Sequence, residues 1–265
     1  MCETCGCNVT PGNIELAYRP VPRGTTAVDV LGHLLAANDR TARHNQAHFD
    51  QHGVLAVNLM SAPGSGKTAL LEATADALKH ELRMAVLVGD LETDNDARRI
   101  RAHGVPARQI TTAGACHLDA HMVHEALHEI PLDGLDILFI ENVGNLVCPA
   151  SFDLGQHRNV ALLSYTEGDD KPAKYPVLFR AADLVLLSKS DLAPHMEDFD
   201  ASRAERALRE LANPAPLYAL SSRKRIGLEP WLEWLHEQLA SVRTQRPAAS
   251  LQKESHHGHG ERMAR

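Results

Sequence analysis

The run Val54-Leu55-Ala56-Val57-Asn58-Leu59-Met60-Ser61-Ala62-Pro63-Gly64-Ser65-Gly66-Lys67-Thr68 decides the fold of this chain. Its first seven residues are mostly apolar and predict a buried strand. The glycine-bearing loop that follows opens a predicted helix from Thr68 to Leu82. A strand, a glycine loop and a helix in this order are the setting of a phosphate-binding loop, where backbone N–H groups and the helix N-terminus favour an anion.

The residues predicted to hold the phosphates are Gly64, Ser65, Gly66, Lys67, Thr68 and Ala69. The Lys67 ammonium would reach the β- and γ-phosphates, and the Thr68 hydroxyl would bind Mg²⁺. Ser61 stands where the general pattern has its first glycine, so the prediction depends on Gly66-Lys67-Thr68 and on the strand and helix around it.

Apolar runs continue along the chain and alternate with helical patterns. Strands are predicted at residues 84–88, 109–112, 137–140, 160–164, 184–188 and 217–220, with helices between most of them. This alternation predicts an α/β fold in which a mostly parallel sheet is covered by helices on both faces. In such a fold the ligand-binding residues lie at the carboxyl ends of the strands.

We predict four parts in this chain of 265 residues. Residues 1–24 form an irregular arm that carries cysteines, and residues 25–52 form a helix. Residues 53–242 form a nucleotide-binding domain. The polar, histidine-containing tail at 243–265 is expected to be disordered because it lacks apolar residues to bury.

Composition excludes several classes of function. The net charge of -7 argues against a nucleic-acid backbone as the main partner. No stretch approaches the roughly 20 apolar residues that a membrane span needs, and the N-terminus has no apolar signal segment. A cytoplasmic protein is therefore expected, and in the cytoplasm free thiols are more often metal ligands than disulfide partners.

A second nucleotide motif follows the predicted strand at 184–188. Ser188-Lys189-Ser190-Asp191 is similar to the guanine-reading pattern Asn/Thr-Lys-x-Asp. The Asp191 carboxylate could accept hydrogen bonds from guanine N1–H and N2–H₂, a pair that adenine lacks. The serine at 188 is expected to weaken a scaffold hydrogen bond. Ser221 and Ser222, after the last strand, would support the base.

Acidic residues end two of the predicted strands. Glu141 is assigned to the Mg²⁺ shell, together with Thr68 and Asp96. Asp90 would hold a Mg²⁺-bound water or orient the attacking water, and Asp94 and Asp96 compete for this role. The predicted catalytic groups are Lys67, Asp90 and Glu141.

All five cysteines have metal-ligand assignments. Cys2, Cys5 and Cys7 lie within seven residues of the N-terminus, and their thiolates suit Zn²⁺, Ni²⁺ or Cu⁺. Three thiolates supply three of the four ligands of a square-planar nickel site. A nearby backbone or terminal nitrogen could supply the fourth. Cys116, His117 and Cys148 form a second candidate site, which water or a second subunit would complete.

Two sets of histidines recur at helical spacing. One set is His44, His48 and His52, and the other is His117, His121, His124 and His128. Either set could buffer metal, but a solvated polar helix face is the expected interpretation.

Taken together, these motifs resemble those of the hydrogenase nickel-incorporation GTPase family, HypB, in the SIMIBI class of P-loop GTPases. The resemblance spans nearly the whole chain and depends on residues 1–7, 58–68, 89–96, 115–120, 140–149 and 167–172. Ser61 is usual in that family.

The resemblance implies GTP hydrolysis coupled to nickel delivery into the large subunit of [NiFe]-hydrogenase, with the metallochaperone HypA as a partner. It implies a tight nickel site at Cys2, Cys5 and Cys7. It also implies a nickel or zinc site at Cys116, His117 and Cys148, shared across a GTP-stabilised homodimer. Lys174 would reach the nucleotide of the partner subunit. The long histidine-rich run of the family is nearly absent here, which puts nickel storage in doubt.

Three alternatives remain at this point. The sister urease-accessory GTPase is the nearest, although it resembles a shorter chain with a Cys-Pro-His metal motif. The others are a small-molecule P-loop kinase with a structural zinc and a metal-storage protein with a vestigial nucleotide site.

Overall fold

Seven strands form one parallel sheet at the centre of the computed structural model, which describes residues 27–90, 93–112 and 114–245. The strands are β1 (Leu55–Ser61), β2 (Met84–Asp90), β3 (Ala107–Thr111), β4 (Ile137–Glu141), β5 (Arg158–Ser164), β6 (Leu184–Ser188) and β7 (Leu217–Ala219). Their order is β3-β2-β4-β1-β5-β6-β7, and each neighbouring pair is parallel. The predicted α/β fold is confirmed. The predicted nickel ligands Cys2, Cys5 and Cys7 lie outside the described residues.

Helices cover both faces of this sheet. They are α1 (Ala27–His52), α2 (Lys67–Leu78), α3 (Asn95–Ala102), α4 (Ala120–Leu127), α5 (Lys171–Lys174), α6 (Pro176–Arg180), α7 (Ala201–Glu210) and α8 (Glu229–Gln245). Two 3₁₀ turns span Pro149–Ser151 and Ser190–His195. None of the helices in the described ranges is long and apolar enough to cross a membrane.

Several helix ends differ from the sequence prediction, and their local chemistry explains one of them. α4 begins at Ala120 rather than Leu118 because Asp119 caps it, its side chain accepting a hydrogen bond from Met122 N at 2.8 Å. α8 continues to Gln245, three residues into the segment assigned to the tail. The short helices α5 and α6 were not predicted, because four or five residues carry too little periodicity to identify a helix.

The two faces of β1 pack against different helices. Leu55, Val57 and Leu59 belong to a core with α2 and α8, whereas Val54 and Ala56 face a core with α4 and the end of α1. The alternation follows from the two-residue period of a strand. Every residue of β1 is buried, as expected for a central strand in a sheet that is covered on both faces.

Trp231 joins α8 to α2. Its ring is fully buried, and its Nε1–H donates to Thr74 Oγ1 at 2.9 Å. Thr74 lies in α2 and donates in turn to Leu70 O at 2.7 Å. The helix that begins at Lys67 is thereby fixed against the C-terminal helix.

Helix α1 is part of the same packed body. Phe49 is fully buried, and the Asn45 amide donates to Ala120 O at 2.8 Å and to Leu154 O at 3.1 Å. His157 Nε2 is 3.0 Å from Asp50 Oδ1, and the Ala56 N–H donates to His157 Nδ1. A single buried amide thus connects α1 to α4 and to the loop before β5.

We expect Asn45→Ala to lower the free energy of unfolding by about 2 kcal/mol, because it leaves two buried carbonyls without a donor. The matched control is Gln46→Ala, the next residue of α1, whose side chain is exposed. Urea unfolding of both variants measures the difference. Equal unfolding midpoints would contradict this account of how α1 is held.

Candidate functional site

A cavity of about 420 Å³ opens at the carboxyl ends of β1, β2 and β4. The loop after β1 forms one side, and the ends of β2 and β4 form the other. Its polar residues are Lys67, Thr68, Asp90, Asp96, Arg99, Glu141 and Asn142. The position of Arg99 at this cavity could not be predicted from the sequence, because a basic residue inside an exposed helix carries no signal of its own.

The loop between β1 and α2 has the backbone that close approach to an anion needs. Gly64 has φ of +75° and Gly66 has φ of +100°, both in the left-handed region that favours glycine. A Cβ atom at either position would meet no atom within 4 Å. Glycine is therefore required here by the backbone conformation and not by lack of space.

Lys67 lies almost fully inside this loop. Its ammonium donates to Ser61 Oγ at 2.9 Å, so the serine at the first glycine position holds the lysine when no anion is bound. Burial lowers the pKa of Lys67, and the nearby carboxylates of Glu141, Asp96 and Glu167 oppose that shift. A bound anion would satisfy this desolvated ammonium.

Glu141 and Thr68 present hard oxygen ligands side by side. The Thr68 hydroxyl donates to Glu141 Oε1 at 2.8 Å, and Glu141 Oε2 is buried with no hydrogen-bond partner among the described residues. Burial raises the pKa of Glu141 to about 7, although Lys67 and the Thr68 hydroxyl act to lower it. An uncompensated carboxylate oxygen in this position can bind a divalent cation.

The three aspartates near β2 are in different surroundings. Asp90 and Asp96 line the cavity, and Asp90 Oδ1 accepts from Thr93 N at 3.3 Å. Asp96 pairs with Arg99 at 3.0 Å. Asp94 does not line the cavity and pairs with Arg101 instead, which favours the other two as groups that act on a ligand.

The predicted base-reading residues adjoin the phosphate loop without lining this cavity. The Ser188 hydroxyl donates to Ser65 O at 2.6 Å, which joins this loop to the phosphate loop. Ser190 N donates to Leu220 O at 3.0 Å, which brings the loop of Lys189 and Asp191 beside that of Ser221 and Ser222. None of these four residues lines the cavity.

Glu167 is a further group at the phosphate loop. The sequence predicts no role for it beyond its place in the motif at 167–172. The Ser65 hydroxyl donates to Glu167 Oε1, and Glu167 Oε2 is buried without a partner among the described residues. Burial raises the pKa of Glu167. Its role could not be inferred from sequence, because the contact joins residues 102 positions apart.

Cys116, His117 and Cys148 come together on two loops beside the sheet. Cys116 Sγ is 3.2 Å from Cys148 Sγ and 4.0 Å from His117 Nδ1, and the three ligand atoms lie within 4.8 Å of one another. The His117 ring is fully buried and stacks on Phe152 at a centroid distance of 4.0 Å. This is the size of a site for one metal ion with two sulfur ligands and one nitrogen ligand.

Burial determines the protonation states of His117 and Cys116. Burial lowers the pKa of His117 to about 4, so the imidazole is neutral, and its Nε2 has no partner among the described residues. Burial and the contact with Cys148 raise the pKa of Cys116 to about 11. The Cys116 thiol therefore keeps its proton, and a metal ion would have to displace that proton on binding.

The segment from Glu141 to Cys148 connects the cavity to the triad. Asn142 Oδ1 accepts from Leu118 N at 3.2 Å, and Asn142 Nδ2 donates to Asn58 Oδ1 at 3.2 Å. Asn145 Nδ2 donates to Cys116 O at 3.1 Å. A Cβ atom at Gly144 would lie 2.8 Å from Pro63 Cα, so this segment also presses against the phosphate loop.

Comparisons with known proteins agree with this geometry. The model of the CobW/HypB/UreG nucleotide-binding domain matches residues 55–218. Hydrogenase maturation factor HypB of Azotobacter chroococcum is 48% identical over 224 residues, which are 84% of this chain and 72% of that protein. The Escherichia coli K12 factor is 50% identical over 205 residues, which are 77% of this chain and 70% of that protein.

A solved structure provides an independent comparison. HypB from Helicobacter pylori, crystallised in complex with nickel, superposes with a TM-score of 0.73 and is 42% identical. The alignment covers 77% of this chain and 95% of that one. The identities, the coverage and the shared fold together show that this chain belongs to the HypB family of hydrogenase maturation factors, P-loop proteins with the CobW/HypB/UreG nucleotide-binding domain.

Proposed function

We propose that this chain is a nickel-binding GTPase that couples GTP binding and hydrolysis to nickel insertion into the large subunit of [NiFe]-hydrogenase. The observation that carries the proposal is the segment from Glu141 to Cys148. It begins at a carboxylate in the nucleotide cavity and ends at a thiol of the metal triad.

The chemistry of the cavity is suited to phosphoryl transfer. Lys67 and the N–H groups of the glycine loop would bind the β- and γ-phosphates and stabilise the charge that develops as the bond breaks. Asp90 lies at the end of β2 and lines the cavity, where it would orient the attacking water. Asp96 is the second candidate for that role.

The donor set fits Mg²⁺. The Thr68 hydroxyl and the Glu141 carboxylate are adjacent oxygens, and one carboxylate oxygen is buried without a partner among the described residues. Asp96 is a further carboxylate on the same cavity. Bound Mg²⁺ would neutralise part of the phosphate charge, as it does in other nucleotide sites.

Guanine recognition is assigned to Asp191, supported by Lys189, Ser221 and Ser222. The Ser188 hydroxyl supports this assignment, because its bond to the Ser65 carbonyl holds the base loop in a fixed position relative to the phosphate loop. GTP rather than ATP is therefore the proposed substrate.

Nickel is the proposed cargo of the triad, with zinc as a competitor at the same thiolates. Cys116, His117 and Cys148 supply three ligands, so a second copy of the chain or water would complete the coordination. GTP and Mg²⁺ would fix the segment after Glu141, change the position of Cys148, and thereby change metal affinity or homodimerisation. Hydrolysis would then permit transfer of the ion.

The proposed partners are the metallochaperone HypA as nickel donor and the hydrogenase large subunit as acceptor. Cys2, Cys5 and Cys7 are proposed to capture nickel before it reaches the triad. Lys174, proposed to reach the nucleotide of a second subunit, is exposed and pairs with Asp170 at 2.5 Å, so it would have to exchange that partner.

Urease maturation is the second candidate. The Helicobacter hepaticus relative, 43% identical over 81% of this chain, is a hydrogenase/urease maturation factor. Maturation of each enzyme in extracts that lack this protein would distinguish the two acceptors. A small-molecule kinase would prefer ATP to GTP. A metal-storage protein would keep its function when Lys67 is replaced.

Replacing the phosphate-loop lysine tests the GTPase directly. Lys67→Ala is expected to lower GTP turnover at least about 100-fold, because it removes the main positive charge from the γ-phosphate. Lys79→Ala, an exposed lysine just beyond α2, is the control. A Lys67→Ala protein that hydrolyses GTP at the control rate, or that still supports hydrogenase maturation, would contradict the proposal.

The raised pKa of Glu141 predicts a pH dependence. In the metal-free protein the carboxyl is protonated below a pH of about 7, so Mg²⁺-dependent GTP binding should weaken as the pH falls through that value. Because the folded-state pKa lies above its ordinary value of 4.5, this group lowers the stability of the metal-free protein as the pH rises from 4.5 to about 7, and the loss is complete above that pH.

Glu141→Gln should therefore remove most of the Mg²⁺ dependence without lowering metal-free stability at pH 8. Titration calorimetry with GTP, with and without Mg²⁺, and thermal unfolding measure the two effects. Retention of full Mg²⁺ dependence in the variant would exclude Glu141 from the cation site.

The coupling itself has a thermodynamic test. If nickel at the triad and GTP influence each other, nickel must change GTP affinity by the same factor that GTP changes nickel affinity, typically about 5-fold or more. We expect Cys148→Ala to abolish this change and Cys2→Ala to retain it. Equal GTP affinity with and without nickel in the unmodified protein would refute the coupling.

A further inference from the structure

Two histidine pairs from different helices face each other away from the triad. His44 and His48 are four positions apart on α1, and His124 and His128 are four positions apart at the end of α4. Residues at this spacing share a helix face. His44 and His128 are exposed and His48 and His124 are half-buried, in agreement with the expected polar helix faces, and the packing of α1 against α4 brings the two pairs together.

The rings of His44, His48 and His128 each lie close to that of His124. Centroid distances are 4.5 Å for His44 and His48, 5.1 Å for His44 and His124, 6.2 Å for His48 and His124, and 5.3 Å for His124 and His128. Imidazoles bound through nitrogen to one tetrahedral ion would have their ring centres about 5 Å apart.

A hydrogen bond orients one of these rings for binding. The Asn45 amide nitrogen donates to Ala120 O and Leu154 O, so its Oδ1 is available only as an acceptor. His124 Nδ1 lies 3.1 Å from that oxygen and must carry the proton. His124 Nε2 then keeps its lone pair, which is the arrangement that buried partners impose on metal-binding histidines.

None of the four histidines has an ion pair with an acidic group in the described part of the chain. Burial and the neighbouring histidines lower the pKa values of His48 and His124. Glu125 is within reach as well, since its carboxylate and the ring nitrogens of His124 and His128 lie within 4.8 Å of one another.

We propose that His44, His48, His124 and His128 form a further metal site, which binds a late first-row divalent cation such as Ni²⁺ or Zn²⁺ through imidazole nitrogen. Nitrogen donors suit these ions and disfavour Mg²⁺ and Ca²⁺. The site is separate from the thiolate triad, although α4 begins three residues after His117. It does not depend on the nucleotide and stands independently of the proposed GTPase activity.

The experiment isolates this site in the full-length chain. All five cysteines are replaced by serine, and His256, His257 and His259 of the tail by alanine, so that the thiol ligands and the histidines of the tail are removed. Equilibrium dialysis and calorimetry with Ni²⁺ alone should then find one bound equivalent. A parallel titration with Zn²⁺ should also find binding, and excess Mg²⁺ should not displace the bound Ni²⁺.

Two double variants in this background test the ligands. His48→Ala/His124→Ala and His44→Ala/His128→Ala should each weaken Ni²⁺ binding at least about 10-fold. His80→Ala/His121→Ala removes two exposed histidines outside the cluster and should leave binding unchanged. The second variant keeps His124 and its bond to Asn45, so a loss of binding there is not a loss of folding, as circular dichroism will verify. No bound Ni²⁺ in the background protein, or equal affinity in all three variants, would overturn the proposal.

Discussion

The buried side chain of Asn142 is the contact on which the arrangement of both sites depends. Its amide bonds to Asn58 on β1 and to the Leu118 backbone, which precedes α4. The next residue upstream is Glu141 in the nucleotide cavity, and Cys148 follows six residues later. A movement of β4 relative to β1 therefore changes the support of the loop that carries Cys116 and His117. Such a shared support gives two ligand sites a physical means of influencing each other.

The nucleotide cavity holds poorly compensated polar groups. Burial lowers the pKa of Lys67 and raises those of Glu141 and Glu167, and both carboxylates have an oxygen with no partner among the described residues. Such a site is less stable by itself than it is around an anion and a cation. Ligands that bind the folded state then stabilise it by mass action. The polar groups of the cavity are thus poorly compensated by the protein alone, and bound ions would compensate them.

Local patterns predicted much of the fold, and tertiary contacts determined the rest. The apolar run at 54–60 and the glycine loop identified β1, the phosphate loop and the parallel sheet, because each depends on neighbours in sequence. The proximity of Cys116 to Cys148 also followed from strand ends meeting at one edge. In contrast, the Ser188 bond to Ser65 and the facing of His44 and His124 join residues 80 or more positions apart. No periodicity encodes such pairs.

The hydrogen bond between Trp231 and Thr74 has an optical consequence. The chain has two tryptophans, and both lie in α8, where their rings stack at a centroid distance of 5.6 Å. One of them is bonded to the helix whose first residue is Lys67. Indole emission depends on the polarity and hydrogen bonding around the ring. The protein therefore carries an intrinsic fluorophore at the back of its phosphate loop, and occupancy of that loop can be followed without an added label.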